Sequence, residues 1–517
     1  MINAAGIELP DYIGDYCVRP YLGANITPVL QRPVFTKRTM KHVQPGEKKL
    51  LNNLEEAIDR SGLHDGMTIS FHHCFREGDQ IIGQVLNAIR RKGIKNLRFA
   101  PSAVVNLDDT SIEEFIKDGT ITEIEASGIR GSLGDAVIHG AMKKPVILRP
   151  HGARPRAIEA GELQIDVTFI GASASDDYGN CTGQIGKNAC GSLGYAFIDA
   201  YNAGCVVVIT DNLVPYPCVP VSISQRYVDF VVKVDTIGDS EKIGTGAARL
   251  TKSPTSLMIA EKCADVIAAS RRFQNGYSFQ TGVGSISIAA TKYLAEKTRE
   301  RGIQAGFALG GISAGIIDMY NQGLIRVVEC SQSFDAVAAR AVYEKPGVLE
   351  IDNADYSDAY SKGCFLNRED FGILGALEID VNFNVNVLIG STGHMMGGLG
   401  GGQDVASGAQ ISIVVLPVIR KRTPCIVRKV FTVCEPGETI AMLVTDAGIA
   451  LNPRHKNYQE IKEDLERAGI ETVSIQYLQK LAERLTGVPE PLKTTDQIVG
   501  IVEYRDGTVL DLLRQMK

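Results

Sequence analysis

Residues 165–210 decide the fold: IDVTFIGAS (165–173) is followed by NACGSLGYAFIDAYNAG (188–204) and then by CVVVIT (205–210). The outer two segments are short and rich in β-branched residues, which is typical of strands, and the segment between them has the spacing of an amphipathic helix. CVVVIT is apolar at nearly every position, as is ISIVVLP (411–417), and strands covered on both faces have this composition. We therefore predict an α/β fold with mostly parallel sheets flanked by helices.

The same alternation continues on the N-terminal side. MTISF (67–71) reads as a strand and DQIIGQVLNAIRRKG (79–93) as the helix after it. Before them, KKLLNNLEEAIDRSG (48–62) predicts a helix that ends at Gly62, because glycine accepts the left-handed conformation that closes a helix.

The sequence also contains what reads as an internal duplication. IEEFIKDGTITEIEAS (112–127) matches IIDMYNQGLIRVVECS (316–331) at a constant offset of 204 residues. A further match pairs Ile165-Asp166-Val167 with Ile379-Asp380-Val381. The alternative is that any two α/β units share this periodicity, but a constant offset across the whole stretch favours two related halves.

Length and charge limit the number of domains and the possible functions. At roughly 150 residues per domain, 517 residues correspond to two to four domains, and the duplication predicts a division into 1–245 and 246–517. The chain has 54 Lys and Arg against 60 Asp and Glu, a formal net charge of −6, and no Trp. A nucleic-acid-binding protein normally has a basic footprint and aromatic side chains for stacking, so we expect no nucleic-acid partner.

The eleven cysteines are scattered without a C-x-x-C pair, which predicts neither a disulfide framework nor a zinc site and fits a reducing cytoplasm. The first residues, MINAAGIELPDYIGDY (1–16), carry acidic side chains where a signal peptide would need a basic start. No stretch approaches the ~20 apolar residues of a membrane span. We expect a cytoplasmic protein without a membrane partner or a bound metal.

Ligands of open α/β sheets bind beyond the carboxyl ends of strands, so the loops there are the candidate sites. The most distinctive is GGLGGGQDVASGA (397–409), here called the glycine loop. Its backbone amides can approach a ligand closely and form an oxyanion hole, and it fits neither a P-loop nor a dinucleotide fingerprint. The catalytic candidates are Gly398, Gly400, Gly401, Gly402 and, as a side-chain donor, Gln403. The alternative is a flexible connector.

A second loop, TGVGSIS (281–287), joins a predicted strand to a helix. Free amides at the helix start could bind an anion or a carbonyl oxygen, which makes Gly282, Val283, Gly284 and Ser285 candidates for binding an acyl thioester. A plain helix cap by Ser285 or Ser287 is the alternative.

The loop HHCFREG (72–78) is its counterpart in the first half, because the stretch from Ser70 parallels the stretch from Ser278. It offers His72, His73 and Arg76 for substrate contact. A structural role is the alternative. Metal binding is a weaker alternative, because no partner stands at ligand spacing.

In HGARPRAIEAGE (151–162), Arg154 and Arg156 could clamp a carboxylate or could be surface charges. His394, just before the glycine loop, could be a polar group of the site or a structural histidine.

Several of these motifs, in order, resemble CoA-transferases: TGVGSIS, GGISAGIIDMYNQGLI (310–325), LEIDVNFNVNV (377–387), the glycine loop and ISIVVLP. DGMTISFHHCFREGD (65–79) and GELQIDVTFIGASASDDYGN (161–180) resemble the first half of the same superfamily. Over nearly the whole chain the likeness is to citrate lyase alpha subunits. This resemblance implies two tandem CoA-transferase-like (NagB/RpiA-like) domains with the active site between them, and it adds Gly311, Ser313 and His394 to the thioester-binding candidates.

The implied activity is a citrate CoA-transferase that replaces the acetyl group on an acyl carrier thioester, or on acetyl-CoA, with citrate. The implied partners are the beta (citryl lyase) and gamma (acyl carrier protein) subunits, with a homo-oligomer expected. CoA, or the CoA-like arm of the carrier, is a co-substrate, and no tightly bound cofactor is expected. Residues 310–318 lack the nucleophilic Glu of related transferases, so we expect a ternary complex and a mixed anhydride. Alternatives are another acceptor such as citramalate or malonate, acyl-CoA hydrolysis, and a non-catalytic subunit that only binds CoA or carrier.

Overall fold

The computed structural model describes residues 1–24, 26, 28–30, 43–104, 111–243 and 251–517. Two large sheets flanked by helices dominate it, and all but one strand of each sheet run parallel to their neighbours. The predicted α/β class is therefore confirmed. Each sheet has its own apolar core, with Phe71 and Phe169 stacked in the first and Tyr277 and Phe279 in the second.

The first sheet has ten strands and draws on both ends of the chain. Across the sheet their order is Val509–Met516, Thr494–Glu503, Val146–Leu148, Ile121–Ala126, Leu97–Phe99, Thr68–Phe71, Val167–Gly171, Cys205–Thr210, Phe230–Lys233 and Leu50–Leu51.

The second sheet has eight strands. Their order is Val348–Glu350, Ile325–Ser333, Ala305–Ile312, Ser278–Thr281, Phe371–Gly375, Ile411–Val415, Met442–Thr445 and Gly448–Leu451. Its first seven strands follow the same sequential order as the seven central strands of the first sheet. This shared topology supports the predicted duplication.

Helices cover the faces of both sheets. In the first half they are Leu54–Ser61, Ile81–Arg91, Ile112–Lys117, Gly131–Ile138, Ala153–Glu159 and Phe197–Asn202. In the second half they are Pro254–Ala269, Ser285–Arg301, Ala314–Asn321, Ala336–Glu344, Asn353–Ser357, Gly402–Gly408, Tyr458–Arg467 and Ile475–Thr486. Short 3-10 turns lie at Arg76–Gly78, Gln225–Tyr227, Phe365–Arg368 and Gly437–Thr439. Gly62 closes the first helix with a φ of 73°, as predicted.

Short strand pairs complete the fold. Two-stranded pairs join Tyr12–Ile13 to Tyr16–Cys17, Ala174–Ser175 to Cys181–Thr182, and Ile419–Arg420 to Thr423–Pro424. A three-stranded sheet contains Val385–Asn386, Glu378–Asp380 and Ile426–Val427. None of the helices in the described part of the chain is both long enough and apolar enough to cross a membrane.

The predicted division into 1–245 and 246–517 has its boundary outside the described residues and stays a prediction. The C-terminal hairpin nevertheless departs from it. Strand Thr494–Glu503 pairs in parallel with Val146–Leu148, so the last segment of the chain extends the first sheet and not the second. Buried ion pairs hold it there, because Arg149 binds Glu503 at 2.6 Å and Glu125 on its other side.

The predicted match between residues 165–167 and 379–381 was wrong. Asp166 accepts the N–H of Thr68 at 2.8 Å, and Asp370 accepts the N–H of Ser278 at 3.0 Å. Asp370 is therefore the counterpart of Asp166, whereas Asp380 lies in the small three-stranded sheet and pairs by position with Asp176. Both Asp176 and Asp380 close a turn by accepting the backbone N–H four residues later. Segment 188–204 also differs from the prediction, since only Phe197–Asn202 is helical.

Candidate active site

Each sheet has a topological switch point, where the connections from two neighbouring strands leave in opposite directions. The strand pairs are Thr68–Phe71 with Val167–Gly171, and Ser278–Thr281 with Phe371–Gly375. Loops 72–78 and 281–287, singled out from the sequence, begin at these points. Ligands of open α/β sheets bind there.

Backbone hydrogen bonds join the carboxyl ends of the two sheets. The N–H of His151 donates to the carbonyl of Gly400 at 2.8 Å, and the N–H of Asn353 donates to the carbonyl of Gly194 at 3.0 Å. His151 and Asn353 follow equivalent strands of the two halves, so the duplication relates the two contacts. The halves therefore face each other through the edges at which substrates bind.

The glycine loop lies in this interface. The N–H of Leu399 donates to the carbonyl of Ser127 at 2.7 Å, and Gly398 pairs with Gly128 of the first half. Leu399 is only 3% exposed. The loop is thus packed between the halves and is not a flexible connector.

Close packing explains the glycines. A Cβ at position 401 would lie 2.7 Å from the Tyr356 hydroxyl, and a Cβ at position 402 would overlap the carboxyl of Glu435. Gly400 has a φ of +53°, a conformation that glycine adopts without strain. Within the described ranges no acceptor takes the N–H of Gly400 or Gly401. These two amides are available to stabilise an oxyanion.

Gln403 is placed differently from the prediction. Its side chain is fully buried, and Nε2 donates to the carbonyls of Cys434 at 2.8 Å and Glu503 at 3.2 Å. Both amide hydrogens are occupied, so in this structure Gln403 supports the loop from behind and has no free donor for a substrate.

Three aromatic rings of the first half gather beside the glycine loop. The His73 ring lies 4.4 Å from the Tyr195 ring and 5.5 Å from the His151 ring, centroid to centroid. Burial lowers the pKa of His151 to about 3 and holds the pKa of His73 well below its usual value. Both imidazoles are therefore neutral at physiological pH.

A hydroxyl group lies against Nδ1 of each imidazole. Ser102 Oγ accepts the backbone N–H of His73 at 3.1 Å and lies 2.6 Å from His73 Nδ1. The Tyr195 hydroxyl lies 2.6 Å from Nδ1 of His151. When a hydroxyl donates to Nδ1, the remaining proton sits on Nε2, which becomes a donor. In that tautomer, His73 and His151 are two neutral N–H donors beside the glycine loop.

Two arginines add positive charge to this edge. Arg76 is buried, takes a φ of +54°, and donates through Nη1 to Gln332 of the second half at 3.3 Å. Arg130 is half-buried just after strand Ile121–Ala126. Burial lowers the pKa of Arg76 most, and the Arg130 charge lowers the pKa of both Arg76 and His73. Arg76 Nε also lies 3.7 Å from Glu77 Oε2, which balances part of its charge. The remaining positive charge at this edge favours an anionic ligand.

The second-half loop Gly282–Ser285 leaves its helix start open. Gly284 is the cap of helix Ser285–Arg301 and no side chain caps it, so the alternative of a serine cap does not hold. Val283 and Ser285 are exposed. One polar chain links this loop to the glycine loop, because Gln280 Nε2 donates to the Tyr356 hydroxyl at 2.7 Å beside Gly401.

Gly311 and Ser313 follow the next strand. Gly311 packs on Phe334, where a side chain would collide with the ring. Ser313 starts helix Ala314–Asn321, and its buried hydroxyl has no partner among the described residues. Of the two, only the Ser313 hydroxyl has capacity to bind a ligand.

Four predicted site residues are engaged elsewhere. His72 donates from Nε2 to the Gly171 carbonyl at 2.8 Å and accepts the Cys74 N–H, which is a structural role. His394 lies on the surface, 3.2 Å from Asp135.

The two predicted clamp arginines are also committed. Arg154 pairs with buried Asp199 at 2.9 Å, and Arg156 pairs with Glu162 at 2.7 Å. Neither guanidinium is free for a substrate carboxylate. Both side chains are also buried, so the alternative that they are surface charges is wrong too.

Sequence reasoning missed Ser102, Arg130, His151 and Tyr195. The first three could have been found, because each closely follows a strand at its carboxyl end. Within the described ranges no group of three or more His, Cys, Asp or Glu side chains is arranged to hold a metal ion.

Comparison with known sequences places the chain in one family. Residues 47–516 match the family described as "Citrate lyase, alpha subunit (CitF)". The chain is 46% identical to the citrate lyase alpha chain of Escherichia coli (strain K12) over 481 residues, 93% of this chain and 94% of that one. It is 45% identical to the citrate lyase alpha chain of Klebsiella pneumoniae over 471 residues, 91% of this chain and 92% of that one.

Two solved structures also resemble this chain. A crystal structure of the alpha subunit of citrate lyase from Streptococcus mutans, in complex with citrate, matches with a TM-score of 0.95 at 42% identity and full coverage of both chains. The malonate decarboxylase alpha subunit from Acinetobacter baumannii matches with a TM-score of 0.63 at 14% identity, over 86% of this chain and 94% of that one. The second likeness shows a shared fold alone.

Proposed function

The chain belongs to the citrate lyase alpha subunit family, and from that premise we propose that it is a citrate CoA-transferase acting at the interface between its halves. It exchanges the acetyl group of an acyl carrier thioester, or of acetyl-CoA, for citrate. The observation that carries this proposal is the pair of unoccupied amides at Gly400 and Gly401, held beside a cationic edge with neutral imidazole donors.

Citrate fits the charge of this edge. A tricarboxylate needs several cations and donors when it leaves water, because an unpaired buried carboxylate is costly. Arg76 and Arg130 supply the charge, and the neutral imidazoles of His73 and His151 can each donate through Nε2 when a hydroxyl donates to Nδ1. The Streptococcus mutans relative was crystallised with citrate, which supports the same ligand here.

The reaction needs positioning and oxyanion stabilisation. A citrate carboxylate oxygen attacks the acetyl carbonyl carbon, the C–S bond breaks, and an acetyl–citrate anhydride and a thiolate result. The thiolate then attacks the citryl carbonyl carbon of the anhydride, and acetate leaves with the electrons of the broken C–O bond. Each tetrahedral intermediate carries an oxyanion that the Gly400 and Gly401 amides can stabilise, and no net proton transfer is required.

A buried carboxyl beside the glycine loop, that of Glu435, supports a ternary complex over an enzyme-bound thioester. Glu435 packs against Gly402, and burial raises its pKa to about 8. It is therefore mostly protonated at neutral pH, and a neutral carboxylic acid is a poor nucleophile. Residues 310–318, where related transferases place a nucleophilic Glu, contain none.

The partners we propose are the beta (citryl lyase) and gamma (acyl carrier) subunits, together with further copies of this chain. The thioester arm is a substrate, and we retain the expectation that no cofactor is tightly bound. All eleven cysteines are free thiols, which supports a reducing cytoplasm.

The test uses the purified chain with citrate and acetyl-CoA labelled in its acetyl group. We expect citryl-CoA and labelled acetate in equal amounts. Labelled acetate without citryl-CoA would indicate hydrolysis, and no turnover would indicate a binding subunit. Faster transfer to citramalate or malonate than to citrate would identify that acid as the acceptor. Inactivation by borohydride after acetyl-CoA addition would reveal a glutamyl thioester and overturn the ternary complex.

A further inference from the structure

A concentrated basic surface, here called the basic face, lies on the second half. Its exposed side chains come from a hairpin, from the two residues after strand Ile426–Val427 and from helix Ile475–Thr486; they are Arg420, Lys421, Arg422, Arg428, Lys429, Lys480 and Arg484. Residues 419–429 and 475–486 contain one acid, Glu483, which pairs with Arg428 at 2.7 Å. In a chain with a net charge of −6, this concentration is local.

Tertiary packing builds the basic face from two distant segments. Helix Ile475–Thr486 packs on strands Ile419–Arg420, Thr423–Pro424 and Ile426–Val427. The same helix exposes Tyr477 and Leu485, which are 52% and 57% exposed. Apolar side chains among cations are typical of a protein interface and unusual for a purely solvated surface.

The basic face borders loop 281–287, which we predict binds the acyl thioester. Arg420 donates through Nη2 to the carbonyl of Ala376 at 3.1 Å, directly after strand Phe371–Gly375. The Cα of Gly375 lies 3.8 Å from the Cβ position of Gly284, which starts the open helix. A partner seated on the basic face would therefore stand beside the entrance used by its own thioester arm.

We propose that the basic face is the docking surface for an acidic face of the carrier protein that delivers the acyl thioester. This inference rests on the proposed function. A helix of twelve residues is about 18 Å long, so the surface is longer than a diphosphate group can cover. Complementary charge speeds encounter and orients the partner, and its effect weakens as salt increases.

The experiment compares two donors on the full-length chain. The double variant Lys421→Glu, Arg422→Glu reverses the charge at the hairpin tip. Neither side chain has a role in the candidate active site. The matched control is Lys117→Glu with Lys143→Glu, which makes the same charge change just before strands Ile121–Ala126 and Val146–Leu148, at the opposite end of the first sheet. Transfer to citrate is measured with the acetylated gamma carrier subunit and, separately, with acetyl-CoA.

With the hairpin variant we expect kcat/KM for the acetylated carrier to fall about tenfold at low salt, while kcat/KM for acetyl-CoA is unchanged. The control variant keeps both rates. An equal fall with both donors would overturn protein docking in favour of phosphate binding, and unchanged rates with both would remove any docking role. Failure of the proposed function is distinguishable, since the unmodified chain would then give no citryl-CoA.

Discussion

The glycine loop gives the sharpest test, at Gly401. The backbone there has φ −95° and ψ 3°, which alanine also adopts, so Gly401→Ala changes packing without straining the chain. The new Cβ would lie 2.7 Å from the Tyr356 hydroxyl, and ordinary contact begins at 3.4 Å. The loop must therefore move by about 0.7 Å, because Tyr356 is buried and held by Gln280 at 2.7 Å.

A displacement of this size moves the amide donors off the oxyanion, so we expect kcat to fall about 100-fold. Tyr356→Phe removes the colliding oxygen and leaves ring carbons 3.6 Å from the Cβ, an ordinary contact. Adding it to Gly401→Ala should restore most of the rate. Alone, it leaves the buried Gln280 amide unpaired, which costs about 1–3 kcal/mol of stability with little effect on kcat.

The assay is initial-rate formation of citryl-CoA from acetyl-CoA and citrate, with Tm measured for every variant. Gly363→Ala is the control, because no atom lies within 4 Å of the Cβ it adds. A Gly401→Ala enzyme with the normal rate would refute the oxyanion assignment. So would a double variant that stays as slow as Gly401→Ala, since the loss would then not come from the collision.

Further predictions concern the carboxyl, the imidazole and the arginines. Glu435→Gln should retain activity within a few-fold. Burial raises the pKa of Glu435 from 4.5 to about 8, so the free energy of unfolding falls as pH rises through this range. The Tm of the variant should lose this pH dependence. His151→Ala should lower kcat about 100-fold, and because the His151 pKa is about 3, its own titration should cause no break in the rate between pH 5 and 8. Arg76→Gln and Arg130→Gln should each raise KM for citrate about tenfold or more, the value of a charged hydrogen bond, without changing KM for acetyl-CoA. Arg154→Gln should lower Tm and leave KM for citrate unchanged, since its partner Asp199 is buried and distinct from the site.

Local patterns in the sequence determined the α/β class, the duplication and the loops to inspect. Strand and helix periodicity is a property of neighbouring residues, and in a parallel sheet it also fixes which loops emerge at the carboxyl edge. The glycine loop was found this way, because its run of glycines permits close backbone approach. Loops 72–78 and 281–287 were found for the same reason, and the structure places both at switch points.

Tertiary structure alone decided which side chains at those edges are free. Arg154 looked like a substrate clamp, but a carboxylate 45 residues away neutralises it. Arg130 and His151 drew no attention, yet packing brings them beside Arg76 and Gly400. Charge pairing, burial and the contact between the halves depend on residues far apart in the chain. Local periodicity carries no information about those distances, so the site's chemistry emerged only once the two sheets met.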